Sequence, residues 1–94
     1  VKIVWSHAAL GDLKSLRAYI AKDAPAAARA QALAIIAAIE ALAAHPQSGR
    51  PGRVPGTREL VVANTPYVVP YRVQEGALFV LRVYHSARRW PDQF

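Results

Sequence analysis

Between Ser6 and Lys22 apolar residues return every three or four positions: Ala9, Leu13, Leu16 and Ile20 share one stripe, while Lys14, Arg17 and Lys22 lie off it. That spacing predicts an amphipathic helix, because 3.6 residues per turn bring such positions to one face. The preceding Lys2–Trp5 is short and rich in β-formers and reads as a strand, and Ser6 is placed to cap the helix by accepting from a free first-turn N–H. Asp23, a good cap, and Pro25, tolerated in a first turn, restart the chain into a second helix that is expected to reach about Ala44. Ala28, Ala32, Ile35, Ile39 and Leu42 make its main face, flanked by Leu33, Ile36 and Ala43. The favoured reading is an alanine-rich helix packed closely on its neighbour; the sharper one is a second apolar side that awaits a partner.

The pattern changes after His45, Pro46 and Gly49. The loop RPGRVPG holds Arg50 and Arg53 on a backbone stiffened by proline, and a strand is predicted from Arg58 to Val62. Two more strands, Tyr67–Val73 and Leu78–His85, follow as an antiparallel hairpin around Glu75 and Gly76. The expected fold is α+β, in the order β–α–α–β–β–β, with two N-terminal helices on one face of an antiparallel-rich sheet. Opposed residues of an antiparallel pair point to the same face. With Gln74 opposite Leu78 across a three-residue loop, Tyr67, Val69, Tyr71 and Val73 join Phe79, Leu81, Val83 and His85 on the helix side. Arg72, Arg82, Pro70, Val80 and Tyr84 then take the other side. A register slipped by one would place Arg72 among apolar residues, at a cost for an unpaired charge. Pro70, lacking an N–H, belongs at an edge or a non-bonded position.

At 94 residues the chain has room for one domain, taken as residues 1–94, whose small core is commonly completed by a partner. Twelve Lys and Arg against six Asp and Glu give a net charge of +6, which favours nucleic acid, the ribosome or an acidic protein. The absence of cysteine excludes a disulfide framework and thiol chemistry, and three separated histidines make a weak case for a metal, so no cofactor is expected. The N-terminus lacks a signal-peptide pattern, and Arg29, Gln31 and Glu40 break the alanine-rich stretch, so a soluble, cytoplasmic protein without membrane contact is expected.

Seven arginines, Arg50, Arg53, Arg58, Arg72, Arg82, Arg88 and Arg89, lie in the C-terminal half. Their planar forks suit phosphate, although any single one is more often solvated or paired with a carboxylate. His85, at the end of a strand that also delivers arginine, is the natural acid or base near neutral pH. Metal-free RNA cleavage would use His85 with Arg72 and Arg82 as the cations that meet transition-state charge. The competing reading is an oriented structural histidine facing the core beside Tyr67. Tyr84 and Trp90 are candidates for stacking on a base, while a Trp before Pro near a terminus more often pins the tail. Asp12 and Glu40 are solitary acids on separate helices, and no Walker or dinucleotide glycine pattern occurs.

The succession VWSHAALGDLKSLRAYI, HPQSGRPGRVPGTRELVV, TPYVVPYRV and LRVYHSARRWP resembles the RelE/ParE superfamily of bacterial toxins from type II toxin–antitoxin systems, over nearly the whole chain. The resemblance implies a growth-arresting toxin neutralised by a small cognate antitoxin, commonly with a ribbon-helix-helix DNA-binding part, in a hetero-oligomeric complex, and the basic charge balance favours an acidic antitoxin segment. RelE-like members are ribosome-dependent mRNA endonucleases, and ParE-like members poison DNA gyrase. RelE-like nucleases often carry an arginine where this chain has Val68, and some have a tyrosine where it has Ser86; the histidine matching His85 is kept. The expectation therefore leans to ParE-like gyrase inhibition, with RNA cleavage as the alternative and a toxin-like binding module without activity as a third reading. In the gyrase reading Arg50, Arg53, Arg58, Tyr84, Arg88, Arg89 and Trp90 form the surface that grips the target.

Overall fold

The computed structural model describes residues 1–91 and 93–94. Its elements are β1 (Lys2–Trp5), α1 (His7–Ala21), α2 (Pro25–Leu42), β2 (Arg50–Pro51), β3 (Arg58–Val61), β4 (Tyr67–Gln74), β5 (Ala77–Val80) and β6 (Tyr84–His85). The expected order is present, with a two-residue β2 added and the last predicted strand divided into β5 and β6. The six strands form one sheet in the order β1-β5-β4-β3-β2, with β6 pairing β4. β1 runs parallel to β5, and the other pairs are antiparallel.

Ser6 caps α1 as its type suggests, accepting from the Ala9 N–H at 2.9 Å. Its hydroxyl also donates to the Leu81 carbonyl at 2.7 Å, which ties the helix start to the sheet. At α2 the expectation is corrected: Ala24 is the N-cap, without a side-chain bond, so Asp23 does not cap the helix and Pro25 alone marks its first turn. Ala28, Ala32, Ile35, Ile39 and Leu42 are buried, as their spacing predicts. α2 is long and apolar enough by composition to cross a membrane, but this buried stripe serves the core of the domain. Burial of Ile35 and Ile39 contributes roughly 1.5–3 kcal/mol each, relative to leaving them in water.

The hairpin register also needs correction. Gln74 pairs with Ala77 and Val73 with Leu78, leaving only Glu75 and Gly76 in the turn. Both have positive φ, 50° and 76°, the geometry of a type I′ turn, whose twist matches that of the strands. Leu78 and Val80, not Phe79 and Leu81, therefore enter the core beside Val69 and Tyr71. Arg72 does lie opposite Phe79, on the far face, where both are half-buried and the long arginine stem reaches solvent.

Further along, Tyr67 pairs with His85 and Val68 with Tyr84, which is the predicted register. Between the two registers Leu81, Arg82 and Val83 oppose Val69 and Pro70, so one extra residue is accommodated as a bulge. Pro70 supplies the reason. Its carbonyl accepts from Leu81 at 3.0 Å, but it has no N–H to continue the ladder toward residues 82 and 83. The bulge returns Val83 to the core and turns Arg82 out of register.

Candidate functional site

The bulge is held by α1. Asp12 accepts from Arg82 Nε and Nη2, both at 2.8 Å, and from the Val83 backbone N–H at 2.9 Å. One carboxylate thus takes a bidentate arginine fork and the N–H that the ladder leaves unpaired. The hydrogen bond to Asp12 is the main reason that the Arg82 guanidinium holds its proton even more firmly than usual.

A second carboxylate organises the loop arginines. Glu59 on β3, 2% exposed, accepts from Arg50 Nε and Nη2 at 3.1 and 2.9 Å and from the Arg53 backbone N–H at 2.8 Å. Arg53 Nε adds a bond at 3.2 Å. Burial pushes the Glu59 pKa up, but the Arg53 N–H and the two guanidinium groups outweigh it and hold it below the usual value of 4.5. Arg58 is engaged differently, donating to the carbonyls of Gln47 and Gly49 at 3.0 and 2.9 Å. The same loop is clamped by Tyr71, whose hydroxyl donates to Pro46 at 2.7 Å and accepts from Gly49 at 2.9 Å. A Cβ on Gly49 would fall on that hydroxyl, so the position requires glycine.

The C-terminal tail lies over the sheet at Tyr84. Tyr84 is 2% exposed, which corrects its reading as an open stacking platform. Trp90 meets its ring edge-on at 5.1 Å, and Phe94 stacks at 6.3 Å. The Arg53 guanidinium sits 3.8 Å from the Trp90 centroid, while those of Arg88 and Arg82 lie 4.5 and 4.8 Å from the Tyr84 centroid. Contacts of this kind contribute roughly 0.5–1 kcal/mol each where solvent reaches them. Trp90 therefore pins the tail, in accord with its place before Pro91. Its Nε1 is buried with no partner among the described residues.

His85 emerges on the helix side, on the same face as Tyr67, but exposed at the rim and not packed in the core. Its Nδ1 accepts from the Ala87 N–H at 3.1 Å, and its ring stands edge-on to Tyr67 at 5.7 Å rather than hydrogen-bonded to it. Asp12, Ser15, Tyr19 and Arg88 line the same groove. Arg72 is elsewhere, on the opposite face and five residues along β4 from the partner of His85, roughly 16 Å at the rise of a strand. The structure therefore does not bring His85, Arg72 and Arg82 together. It does join Arg53, Tyr84, Arg88 and Trp90, with Arg89 and Trp90 lining an adjacent open groove. Among the described residues no carboxylate pairs with Arg72, Arg88 or Arg89.

Asp12 and Glu59 are the organising residues that sequence reasoning missed. Asp12 looked solitary because its partner lies 70 positions away. The signal for Glu59 was its place in a strand directly after an arginine-rich loop, where an acid seldom remains unpaired.

A family model described as the ParE toxin of the type II toxin–antitoxin system parDE matches residues 3–90. Y4kP, a candidate toxin of Sinorhizobium fredii, is 46% identical over 91 residues, covering 97% of this chain and 94% of its own. Toxin RelE2 of Caulobacter vibrioides is 40% identical over 87 residues, covering 93% and 97%. A chain of the chromosomal ParDE system from P. aeruginosa superposes with a TM-score of 0.83 at 26% identity, over 90% of this chain and 95% of that one.

Proposed function

The chain belongs to the ParE toxin family of type II toxin–antitoxin systems, and from that premise we propose that it arrests growth by gripping DNA gyrase rather than by cutting RNA. The observation that carries this reading is the bidentate pairing of Arg82 with Asp12. An arginine already neutralised on both fork nitrogens has little left to offer a phosphorane-like transition state. Arg50 and Arg53 are likewise engaged by Glu59, whereas Arg88, stacked on Tyr84, and Arg89, which lines the groove beside Trp90, are exposed. That arrangement suits a binding surface: aromatic anchors hold the backbone, and exposed cations meet the target.

The protein acts in the cytoplasm, where gyrase works, and a small acidic antitoxin neutralises it by 1:1 pairing within a larger hetero-oligomer. The similar solved chain belongs to a chromosomal ParDE system, which supports a cognate antitoxin. In a supercoiling assay with purified gyrase, the wild-type protein is expected to inhibit, and Arg88→Ala/Arg89→Ala to inhibit at least about tenfold less, in keeping with losing two interface cations. Uninhibited supercoiling by the folded wild type would refute the reading.

The exposed ring of His85, beside Ser15, Tyr19 and Arg88, favours one alternative: ribosome-dependent mRNA cleavage with His85 as acid or base. Inactivity in both assays would leave the third reading, a domain that only engages its antitoxin.

A further inference from the structure

Arg53 uses two surfaces of one guanidinium. Its edge faces the Glu59 carboxylate, Nε donating to Oε2 at 3.2 Å and Nη2 to Oε1 at 3.4 Å, while Cζ lies over the Trp90 ring, 3.8 Å from the centroid. The backbone beneath it is held separately. The Arg53 N–H donates to Glu59 Oε2 at 2.8 Å, the Gly52 N–H to the Thr57 carbonyl at 2.8 Å, and the Thr57 hydroxyl to the Val54 carbonyl at 2.6 Å. A buried carboxylate on β3 thus sets the place of a loop cation that meets the C-terminal tail. Among the described residues the last hydrogen bond of that tail runs from the Arg88 N–H to the His85 carbonyl, at 2.9 Å. Trp90 Nε1 finds no partner among them either. Ring contacts place the indole instead: Tyr84 on the sheet meets it edge-on at 5.1 Å, and Arg53 reaches it from the loop. Arg89 directly precedes Trp90 and lines the same groove, so the seat of the indole fixes where Arg89 leaves the domain.

We propose that Glu59 and Arg53 are positioning residues for the target-binding tail: Glu59 orients Arg53, and Arg53 seats Trp90 so that Arg88 and Arg89 meet the target in one arrangement. What the tail grips rests on the target reading above; the chain of contacts from Glu59 to Trp90 does not. The position calls for arginine. A planar fork donates from its edge while its face covers an indole, whereas a lysine ammonium is a point charge that serves either the carboxylate or the ring. A tail already seated loses less freedom on binding, so the contribution of Glu59 and Arg53 is read in the affinity for the target and in the place of Trp90. Neither residue needs to touch the target for this role.

The test uses the full chain, labelled for NMR. A guanidinium over an indole face feels the ring current, so the Arg53 Nε–H proton should resonate upfield and return toward its ordinary position in Trp90→Leu and in Glu59→Gln. Gyrase supercoiling then reads the function. Arg53→Lys and Trp90→Leu should each inhibit about fivefold less than wild type, and the double variant no less than the weaker of the two, because both remove one contact. Trp90→Phe keeps a ring under the cation and should recover most of the inhibition that Trp90→Leu loses. Arg53→Lys retains the backbone bond to Glu59, so it remains informative even where Glu59→Gln does not fold. An Arg53 resonance unmoved by Trp90→Leu or by a folded Glu59→Gln, additive losses in the double variant, or full inhibition by Arg53→Lys would each overturn the proposal. Supercoiling untouched by the wild type would sink the target reading alone. Growth arrest of a bacterial host by the same variants then carries the functional arm, and equal arrest by Arg53→Lys and wild type would overturn the positioning role.

Discussion

Replacing Asp12 and Arg82 by alanine, singly and together, tests whether Arg82 is a structural tie. The carboxylate accepts three hydrogen bonds between 2.8 and 2.9 Å, and the paired side chains retain only 26% and 12% of their exposure. Breaking a fully buried pair costs about 3–5 kcal/mol, whereas exposed pairs contribute roughly 0.2–1 kcal/mol. This pair is intermediate, but Asp12→Ala also strands the Val83 N–H, so its cost is set at about 2–3 kcal/mol. Arg82→Ala leaves the carboxylate with one donor and should cost about 2 kcal/mol. Because both substitutions remove the same bonds, the double variant should lose less than the sum, with a coupling of about 1.5 kcal/mol. Urea denaturation at neutral pH measures all four corners of the cycle. In a domain of this size a loss of about 2 kcal/mol lowers Tm by roughly 8–16 °C. Additivity within about 0.5 kcal/mol would show that the residues are not coupled and would refute the structural role given to Arg82.

Other consequences follow from the loop and the bulge. Glu59→Gln should destabilise the fold by about 2 kcal/mol at pH 7, since its partners can still reach water but the buried amide meets only donors. The folded-state pKa of Glu59 is depressed, so its contribution is present above the unfolded value near 4.5 and is lost as pH falls through the lower folded value. The gap between wild type and Glu59→Gln should therefore close on acidification, and a gap unchanged down to strongly acidic pH would contradict this assignment. Gly49→Ala should cost about 3 kcal/mol by driving a methyl group into Tyr71, more than the roughly 1–2 kcal/mol of Tyr71→Phe, which only unpairs Pro46 and Gly49. A chemical melt that finds Gly49→Ala neutral would refute the close approach.

Much of this architecture was legible because it obeys local periodicity. The stripes of α1 and α2, the Ser6 cap and the strand positions follow from spacing alone, and the buried positions of α2 are those its repeat names. The register near the turn was not legible, since Glu75 adopts positive φ, a conformation that side chains other than Gly, Asn and Asp rarely favour. A one-residue slip there exchanged Phe79 and Leu81 for Leu78 and Val80 in the core. The bulge then restored the predicted pairing at Tyr67 and His85. In hindsight Pro70 signalled the interruption, because a central strand cannot run an unbroken ladder past a missing donor.

The site was less legible for a different reason. Arginine clustering in sequence suggested a phosphate-binding group, but the acids that divide the arginines lie far away along the chain or inside a strand. Asp12 withdraws Arg82, and Glu59 withdraws Arg50 and Arg53. Among the described residues, the tail cations left without a carboxylate are Arg88 and Arg89, near the Tyr84, Trp90 and Phe94 rings.

Whether any RNA bond is cut tests the central proposal most directly. Brief induction in a bacterial host, with 5′ ends of mRNA mapped for the wild type and His85→Ala, compares the two. The account predicts growth arrest with a 5′-end map that matches an uninduced culture and no difference between the variants. New ends within translated messages that disappear in His85→Ala would contradict it and make the LRVYHSARRW segment the active site of a nuclease.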